Sequence, residues 1–156
     1  MGFISGTGIG FAGPTRALAI SAVAMLALPA AAPATGTLEI EFTHLRSDKG
    51  LLQICLTTDP ADFPDCTKGK GAIRRTIPAS APRIRIEGVS PGIWAIGVVH
   101  DANGNAKLDT ALGIPREGFG FSRDAPVSFG PPKFAAAQFA VGPGLVRQRI
   151  KLRYLL

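Results

Sequence analysis

The sequence predicts an all-β protein, an antiparallel β-sandwich of seven or eight strands. Apolar and polar residues alternate at period two, as in half-buried strands, most clearly where Leu38, Ile40 and Phe42 alternate with Glu39 and Glu41. Prolines and glycines that form turns recur roughly every ten residues, a spacing typical of short-stranded β-proteins. Beyond residue 34, no stretch has the 3.6-residue period of an amphipathic helix.

The first 34 residues have the pattern of a cleaved signal peptide. Arg16 precedes an apolar run over residues 17–28, and small residues follow. The run is shorter than the roughly 20 apolar residues that span a bilayer. Cleavage after Ala34 puts Ala32 and Ala34 at the small-residue positions. We therefore expect an exported protein, periplasmic or extracellular, whose mature part is a single domain over residues 35–156 with no transmembrane segment.

The charge balance restricts the partners. The chain has 17 basic and 11 acidic residues, a formal net charge of +6, and the predicted cleavage removes only Arg16 of these. A positive protein can attract anions. Export and the lack of any basic run longer than Arg74-Arg75 argue against nucleic acid. An envelope glycan or protein is the class of partner that this leaves, and the sequence identifies none.

Cys55 and Cys66 are the only cysteines, and both lie in the predicted mature domain. In an oxidising compartment such a pair usually forms a disulfide. A metal site would need further ligands, which the intervening residues do not supply at the usual spacings. Asp59, Asp62 and Asp65, in or next to that segment, are expected to be solvated turn residues.

Four strands are predicted in the first half of the domain, over residues 37–43, 51–57, 72–77 and 83–89. A turn at residues 47–50 separates the first two, and a loop rich in proline, glycine and lysine follows over residues 59–71. Pro78 and Pro82 separate the third strand from the fourth. In the fourth, Ile84 and Ile86 face one way and the charged residues face the other.

Four more are predicted in the second half, over residues 93–99, 119–122, 135–141 and 145–155. Residues 93–99 are almost wholly apolar, which favours the interior of a sheet. The alanines make 135–141 the weakest of the four patterns. The last strand carries a basic stripe, Arg147, Arg149, Lys151 and Arg153, with the same spacing as the acidic Glu39 and Glu41. We interpret the stripes as a mutually paired, solvated face; the alternative is a docking surface for an anionic glycan or lipid head group.

The segment after residue 99 has the pattern of a cation site. Asp101, Asn103, Asn105 and Asp109 place oxygen-bearing side chains at alternate loop positions, an arrangement that surrounds a hard cation. The backbone carbonyl of Lys107 would be a further ligand. Glu117 would complete the shell if residues 113–118 fold back over the loop.
The predicted calcium ligands are Asp101, Asn103, Asn105, Lys107, Asp109 and Glu117.

The loop departs from an EF-hand. Ala106 stands where an EF-hand has glycine, Leu112 where it has glutamate, and strands rather than helices flank the loop. We therefore expect a weak calcium site, with a dissociation constant on the order of 10⁻⁴ to 10⁻³ M. The alternative is that the Asp and Asn residues only form turns. His100 adjoins the loop and is expected to be a hydrogen-bonded structural residue.

Three functions remain open from the residues alone. The first is a non-enzymatic exported module, stabilised at one end by calcium. The second is a metal-dependent hydrolase using His100, Asp101 and Glu117, which the lack of the usual catalytic motifs disfavours. The third is glycan binding, which would require exposed aromatic residues, whereas Trp94 and most phenylalanines are at positions expected in the core.

Four ordered motifs carry a resemblance to a known family. They are Pro91-Gly92-x-Trp94-Ala95, His100-Asp101-x-Asn103-Gly104-Asn105-x-x-Leu108-Asp109, Gly113-Ile114-Pro115-x-Glu117-Gly118-x-Gly120-Phe121-Ser122, and Gly130-Pro131-Pro132-x-Phe134. This order resembles the bacterial exported proteins of the domain of unknown function 2141 family, over about Gly36 to Tyr154. The resemblance implies a secreted or envelope-associated domain with an immunoglobulin-like or transthyretin-like sandwich, and no particular activity. Many members have glycine where this chain has Ala106.

Overall fold

The computed structural model describes residues 2, 6–8, 10, 34–69, 71–106, 109–128 and 130–156. The chain divides into two units, residues 1–31 and 32–156, and every strand named below lies in the second. The apolar run of the signal peptide falls outside the described residues. The signal peptide and the domain boundary at residue 35 therefore stay predictions.

Short strands make up most of the second unit. Over its described residues there are ten, joined by one turn of 3₁₀-helix at Ser122–Asp124 and one α-helical turn, α1, at Phe134–Ala137. The strands are β1 Gly36–Thr43, β2 Leu51–Thr57, β3 Ile73–Pro78, β4 Arg83–Val89, β5 Gly92–Asp101, β6 Thr110–Ala111, β7 Ile114–Pro115, β8 Gly118–Phe121, β9 Phe139–Val141 and β10 Gly144–Lys151.

Two sheets share one core. The first has the strand order β10-β1-β4, and the second has β3-β2-β5-β8, with β9 pairing to the start of β5. β6 and β7 form a separate small hairpin. Alternate residues of β1, β2 and β5 point inward and pack in a single buried cluster that includes Leu38, Ile40, Leu52, Ile54, Trp94 and Ile96. The predicted all-β class is confirmed, and the two sheets on one core have the arrangement of a sandwich.

The strand pairing departs from prediction in one place. β10 runs parallel to β1, from Gly36 opposite Gly144 to Thr43 opposite Lys151, so this one pair is an exception to the predicted antiparallel pairing. Parallel neighbours need a crossover connection rather than a hairpin. Here the chain reaches β10 from β9, which belongs with the second sheet, and so it enters the first sheet in the same direction as β1.

Two local predictions are wrong. The strand predicted over residues 135–141 is helical in its first half, at α1, because alanine has the highest helix propensity. Only β9 at its end is extended. The predicted last strand ends at Lys151, after which Arg153 forms an isolated bridge with Phe119 of β8 and so links the two sheets.

The predicted disulfide between Cys55 and Cys66 is confirmed, with the two Cα atoms 5.5 Å apart. It ties the loop after β2 onto the outer face of the second sheet. The prediction that Asp62 in this loop is a solvated turn residue is wrong, because Asp62 is buried. Its Oδ1 accepts the N–H groups of Lys68 at 2.6 Å and Gly69 at 2.7 Å. Its carboxylate therefore organises the loop from the inside.

Candidate functional site

Asp101 ends β5 and organises the loop that follows. It is fully buried, and its Oδ1 accepts the N–H groups of Gly104 at 2.7 Å and Asn105 at 3.1 Å. Its Oδ2 accepts the N–H of Ala106 at 2.7 Å and the side-chain amide of Gln53 at 2.9 Å. One carboxylate thus fixes three successive backbone N–H groups, which is how an aspartate stabilises a tight turn.

Side-chain amides connect the middle of the loop to Asp109 by hydrogen bonds. Asn103 donates from Nδ2 to Asp109 Oδ2 at 2.6 Å, and Asn105 donates from Nδ2 to both oxygens of Asp109, at 3.0 and 3.1 Å. Asn103 Oδ1 also accepts the N–H of Asn105 at 3.1 Å. Four of the predicted ligands therefore form one hydrogen-bonded unit. Lys107, the predicted carbonyl ligand, lies outside the described residues.

Glu117 folds back on the loop, as the predicted shell requires. Its Oε2 accepts the backbone N–H of Asp109 at 3.2 Å, and its side chain is only 6% exposed. Its Oε1 is buried and has no hydrogen-bond partner among the described residues. Most buried polar atoms in proteins are hydrogen-bonded, so an unpartnered carboxylate oxygen requires an explanation.

The electrostatics separate the two buried carboxylates. Burial alone would raise the pKa of Asp101, but the hydrogen bonds from Ala106, Gly104, Asn105 and Gln53 together hold that pKa below its ordinary value. For Glu117, burial is the largest effect and raises the pKa, and the charges of Asp101 and Asp109 add to it. The backbone N–H groups of Asp109 and Ala102 oppose this rise only in part, so the pKa of Glu117 is raised. Among the described residues, none of the three carboxylates has an ion pair with a basic side chain.

The loop is not a closed metal cage as it stands. Within the described residues, no three Asp, Glu, His or Cys side chains are gathered closely enough to hold an ion by themselves. Asp101 already accepts four hydrogen bonds, so its oxygens serve the loop. Ala106 adopts a left-handed conformation with φ of 61°, at the position where an EF-hand has glycine. The predicted calcium site stays a prediction.

His100 has no free ring nitrogen. Nε2 lies 2.8 Å from the carbonyl oxygen of Lys49, and Nδ1 lies 2.7 Å from the hydroxyl of Tyr154. Since a carbonyl only accepts, Nε2 carries the proton. The same hydroxyl accepts the N–H of Arg46 at 2.9 Å. The interpretation of His100 as a hydrogen-bonded structural residue is confirmed.

The comparison with protein families covers this site. Residues 40–148 match the model of the bacterial family described as "Uncharacterized protein conserved in bacteria", the domain of unknown function 2141. The chain belongs to this family. The matched span contains the loop, Glu117 and the disulfide. Curated proteins and solved structures gave no match. The immunoglobulin-like or transthyretin-like form of the sandwich stays a prediction.

The basic and acidic stripes of this family member neutralise each other. Glu39 lies between Arg85, at 2.8 Å, and Arg147, at 3.2 Å. Glu41 has the corresponding position in its own row, between Arg83 and Arg149, so the interpretation as a paired, solvated face is confirmed for these residues.

Arg83 lies 2.6 Å and Arg149 lies 3.0 Å from the carboxylate of Glu41. Hydrogen bonds from Arg149 and Arg83 lower the pKa of Glu41. Arg153 pairs instead with Asp124, at 2.7 Å. These arginines are therefore already engaged, which weakens the alternative of an anion-docking surface on this sheet.

Sequence reasoning missed Gln53 and Tyr154. Gln53 supplies the fourth hydrogen bond to Asp101 across the β2–β5 pair. Tyr154, near the end of the chain, forms a hydrogen bond with Nδ1 of His100. The signal for Gln53 was available, since it is the only polar residue within the apolar run 51–56. Tyr154 had no such signal, because it lies 54 positions from His100.

Among the described residues, no helix is long and apolar enough to cross a bilayer.

Proposed function

We propose that this chain is an exported, non-enzymatic β-sandwich module of the bacterial envelope, periplasmic or extracellular, whose loop 101–109 binds calcium together with Glu117. Membership of a bacterial family and the signal-peptide pattern of residues 1–34 support export. The Cys55–Cys66 disulfide also supports it, because disulfides persist in oxidising compartments.

The buried Oε1 of Glu117 is the observation that carries the calcium proposal. This carboxylate is 6% exposed, is near two further carboxylates, and has no partner for one oxygen among the described residues, so its charge is only partly compensated by backbone N–H groups. Burying such a charge costs free energy unless it is paired or coordinates a metal. A hard cation that prefers oxygen ligands would supply the missing partner.

The donors divide into two roles in this proposal. Asp109 and Glu117 provide charged ligands, and Asn103 and Asn105 provide neutral oxygens once their amide groups turn, because an amide has one donor end and one acceptor end. Asp101 acts as a positioning residue, since its oxygens hold the backbone of the loop. Two charged ligands give weak binding, of the extracellular class.

Calcium should therefore raise the melting temperature of the purified protein. With a dissociation constant on the order of 10⁻⁴ to 10⁻³ M, about 10 mM calcium stabilises the folded state by about 1.4–2.7 kcal/mol. That corresponds to a rise of several degrees, measurable by scanning calorimetry against a chelator-treated sample. An unchanged melt would end the calcium proposal and leave the fold and family untouched.

Two carboxylate variants make this test specific. Glu117→Gln should remove the calcium-dependent rise, because it removes one of the two charged ligands. Glu87→Gln is the matched control, since Glu87 is exposed and pairs with Arg85 on the other sheet. If both variants respond to calcium as the wild type does, the ion is bound elsewhere.

The non-enzymatic part of the proposal is supported by His100. Both of its ring nitrogens are engaged, so neither is free to bind a metal or accept a substrate proton. A screen of ester, amide and phosphoester substrates with added calcium tests this directly. Turnover that disappears in His100→Gln and survives in His44→Gln, which alters the exposed histidine, would revive the hydrolase alternative.

A further inference from the structure

The outer face of the second sheet forms the floor of a groove. Because paired residues share a face, β3, β2, β5 and β8 contribute two rows across it. One row is Arg74, Cys55, Gly97 and Phe121, and the other is Thr76, Gln53, Val99 and Phe119. Gln53 and Val99 are only half-buried, so the floor is open above them.

Three segments form the walls of this groove. The disulfide-tied loop contributes Pro64 and Thr67 at one end, and the β6–β7 hairpin contributes Ile114 at the other. Residues 127, 128, 130 and 131 extend along the β8 side. The volume of this open groove is about 910 Å³, within the range of roughly 300–1,000 Å³ that is typical of small-molecule sites.

The two sides of the groove differ in chemistry. Val99, Ile114, Val127 and the two phenylalanines make the β8 side apolar. On the β3 side, Arg74 and Arg75 are exposed, line the groove and form no ion pair with the described residues. Arg74 lies on the groove face. Arg75 pairs with Ile54 on the other face of this edge strand, and its Nη1 donates to the carbonyl oxygen of Arg74 at 2.8 Å. The arginines of the opposite sheet, in contrast, are paired with Glu39 and Glu41.

An aspartate also lines the groove but does not neutralise the arginines. The carboxylate of Asp65 accepts two hydrogen bonds from Thr67, from its backbone N–H at 3.2 Å and from its side-chain hydroxyl at 2.9 Å, within the disulfide-tied loop. The β3 side therefore places one positive charge on the groove face and a second at the edge of the sheet, both beside an apolar surface. The complementary ligand has an apolar body and an anionic end.

We propose that this groove binds a small amphipathic anion, an apolar chain that ends in a carboxylate, with the chain along the β8 side and the carboxylate at Arg74 and Arg75. Planar guanidinium groups match the geometry of carboxylates. The inference goes beyond the proposed calcium binding and concerns a separate site. It is tested without calcium, so that either proposal can fail alone.

Calorimetric titration of the full-length protein with decanoate, in chelator, tests the proposal. Saturable one-to-one binding is expected, and decyltrimethylammonium, which has the same chain and the opposite charge, should bind more weakly. Arg74→Gln with Arg75→Gln should weaken decanoate binding by about two- to fivefold for each exposed charge and should abolish the preference for the anion. Thr76→Trp should block the groove, since tryptophan is compatible with a strand.

The matched control is Arg83→Gln with Arg147→Gln, which removes the same charge from the other sheet and should leave decanoate binding unchanged. Thermal melts establish that each variant is folded. If Thr76→Trp does not fold, the variant with Arg74→Gln and Arg75→Gln decides the test. The proposal is overturned if decanoate does not saturate the wild type, if both cations of β3 can be removed without effect, or if decyltrimethylammonium binds equally well.

Discussion

Replacing Glu117 by glutamine should stabilise the calcium-free protein at neutral and alkaline pH. The glutamine keeps an oxygen for the N–H of Asp109 and places an NH₂ group where Oε1 has no partner among the described residues, near two other carboxylates. An unpartnered buried polar group costs about 1–3 kcal/mol. We therefore expect the free energy of unfolding to rise by about 1–2 kcal/mol, and by more if the buried charge is poorly screened.

The pH dependence follows from the raised pKa of Glu117. The folded protein holds the Glu117 proton more tightly than the unfolded chain, whose ordinary value is 4.5. Between 4.5 and the raised pKa, folding takes up a proton, so the free energy of unfolding falls as pH rises through this interval and levels off above it. Each unit of pKa elevation corresponds to about 1.4 kcal/mol.

Asp101 makes the opposite contribution, in a separate interval. Its pKa lies below the ordinary 3.8, so the stability it provides is present above 3.8 and is lost as pH falls through the lowered pKa. Denaturant unfolding in chelator from pH 4.5 to 8 therefore isolates Glu117. The difference between wild type and Glu117→Gln should grow with pH and then become constant. A difference that is independent of pH, or a less stable variant at pH 8, would refute a strained buried carboxylate.

Three further predictions concern stability alone. Tyr154→Phe leaves Nδ1 of the buried His100 without its partner and should lower the free energy of unfolding by about 1–2 kcal/mol in denaturant unfolding. An effect below 0.5 kcal/mol, roughly that of a neutral surface change, would show that the Tyr154–His100 hydrogen bond does not stabilise the fold. Ser122→Ala removes a fully buried hydroxyl that bridges two backbone groups and should cost about 2 kcal/mol, with an unchanged circular dichroism spectrum. Reducing the Cys55–Cys66 bond should lower the free energy of unfolding by about 3 kcal/mol, from the loop that it closes; equal stability with and without reductant would contradict this.

Most strands could be predicted because their information is local. In β1, the alternation of Leu38, Ile40 and Phe42 with two glutamates states which face is buried, and that face is the same whichever strand lies beside it. The apolar run in β5 indicated an interior strand, and β5 does pair on both edges. The helical turn α1 was missed because four residues are too few to display a helical period.

The candidate site was predictable in membership but not in role. Spacing alone brought Asp109 and Glu117 into one prediction, and the structure places them in hydrogen-bond contact. Spacing could not reveal that Asp101 is buried and accepts three backbone N–H groups, whereas Glu117 is buried with one oxygen that has no partner in the described part of the chain. That difference arises from how the chain packs around each carboxylate, including Gln53 from a neighbouring strand.

The sequence by itself determined most of the longer strands, which of their faces are buried, and that the two cysteines should bond, because period-two alternation and residue chemistry are written along the chain. Only the tertiary structure decided that β10 lies parallel to β1, that Tyr154 closes over His100, and that a groove opens beside Arg74. These features join segments far apart in sequence. Their partners are selected by the packing of the whole core, which no local pattern records.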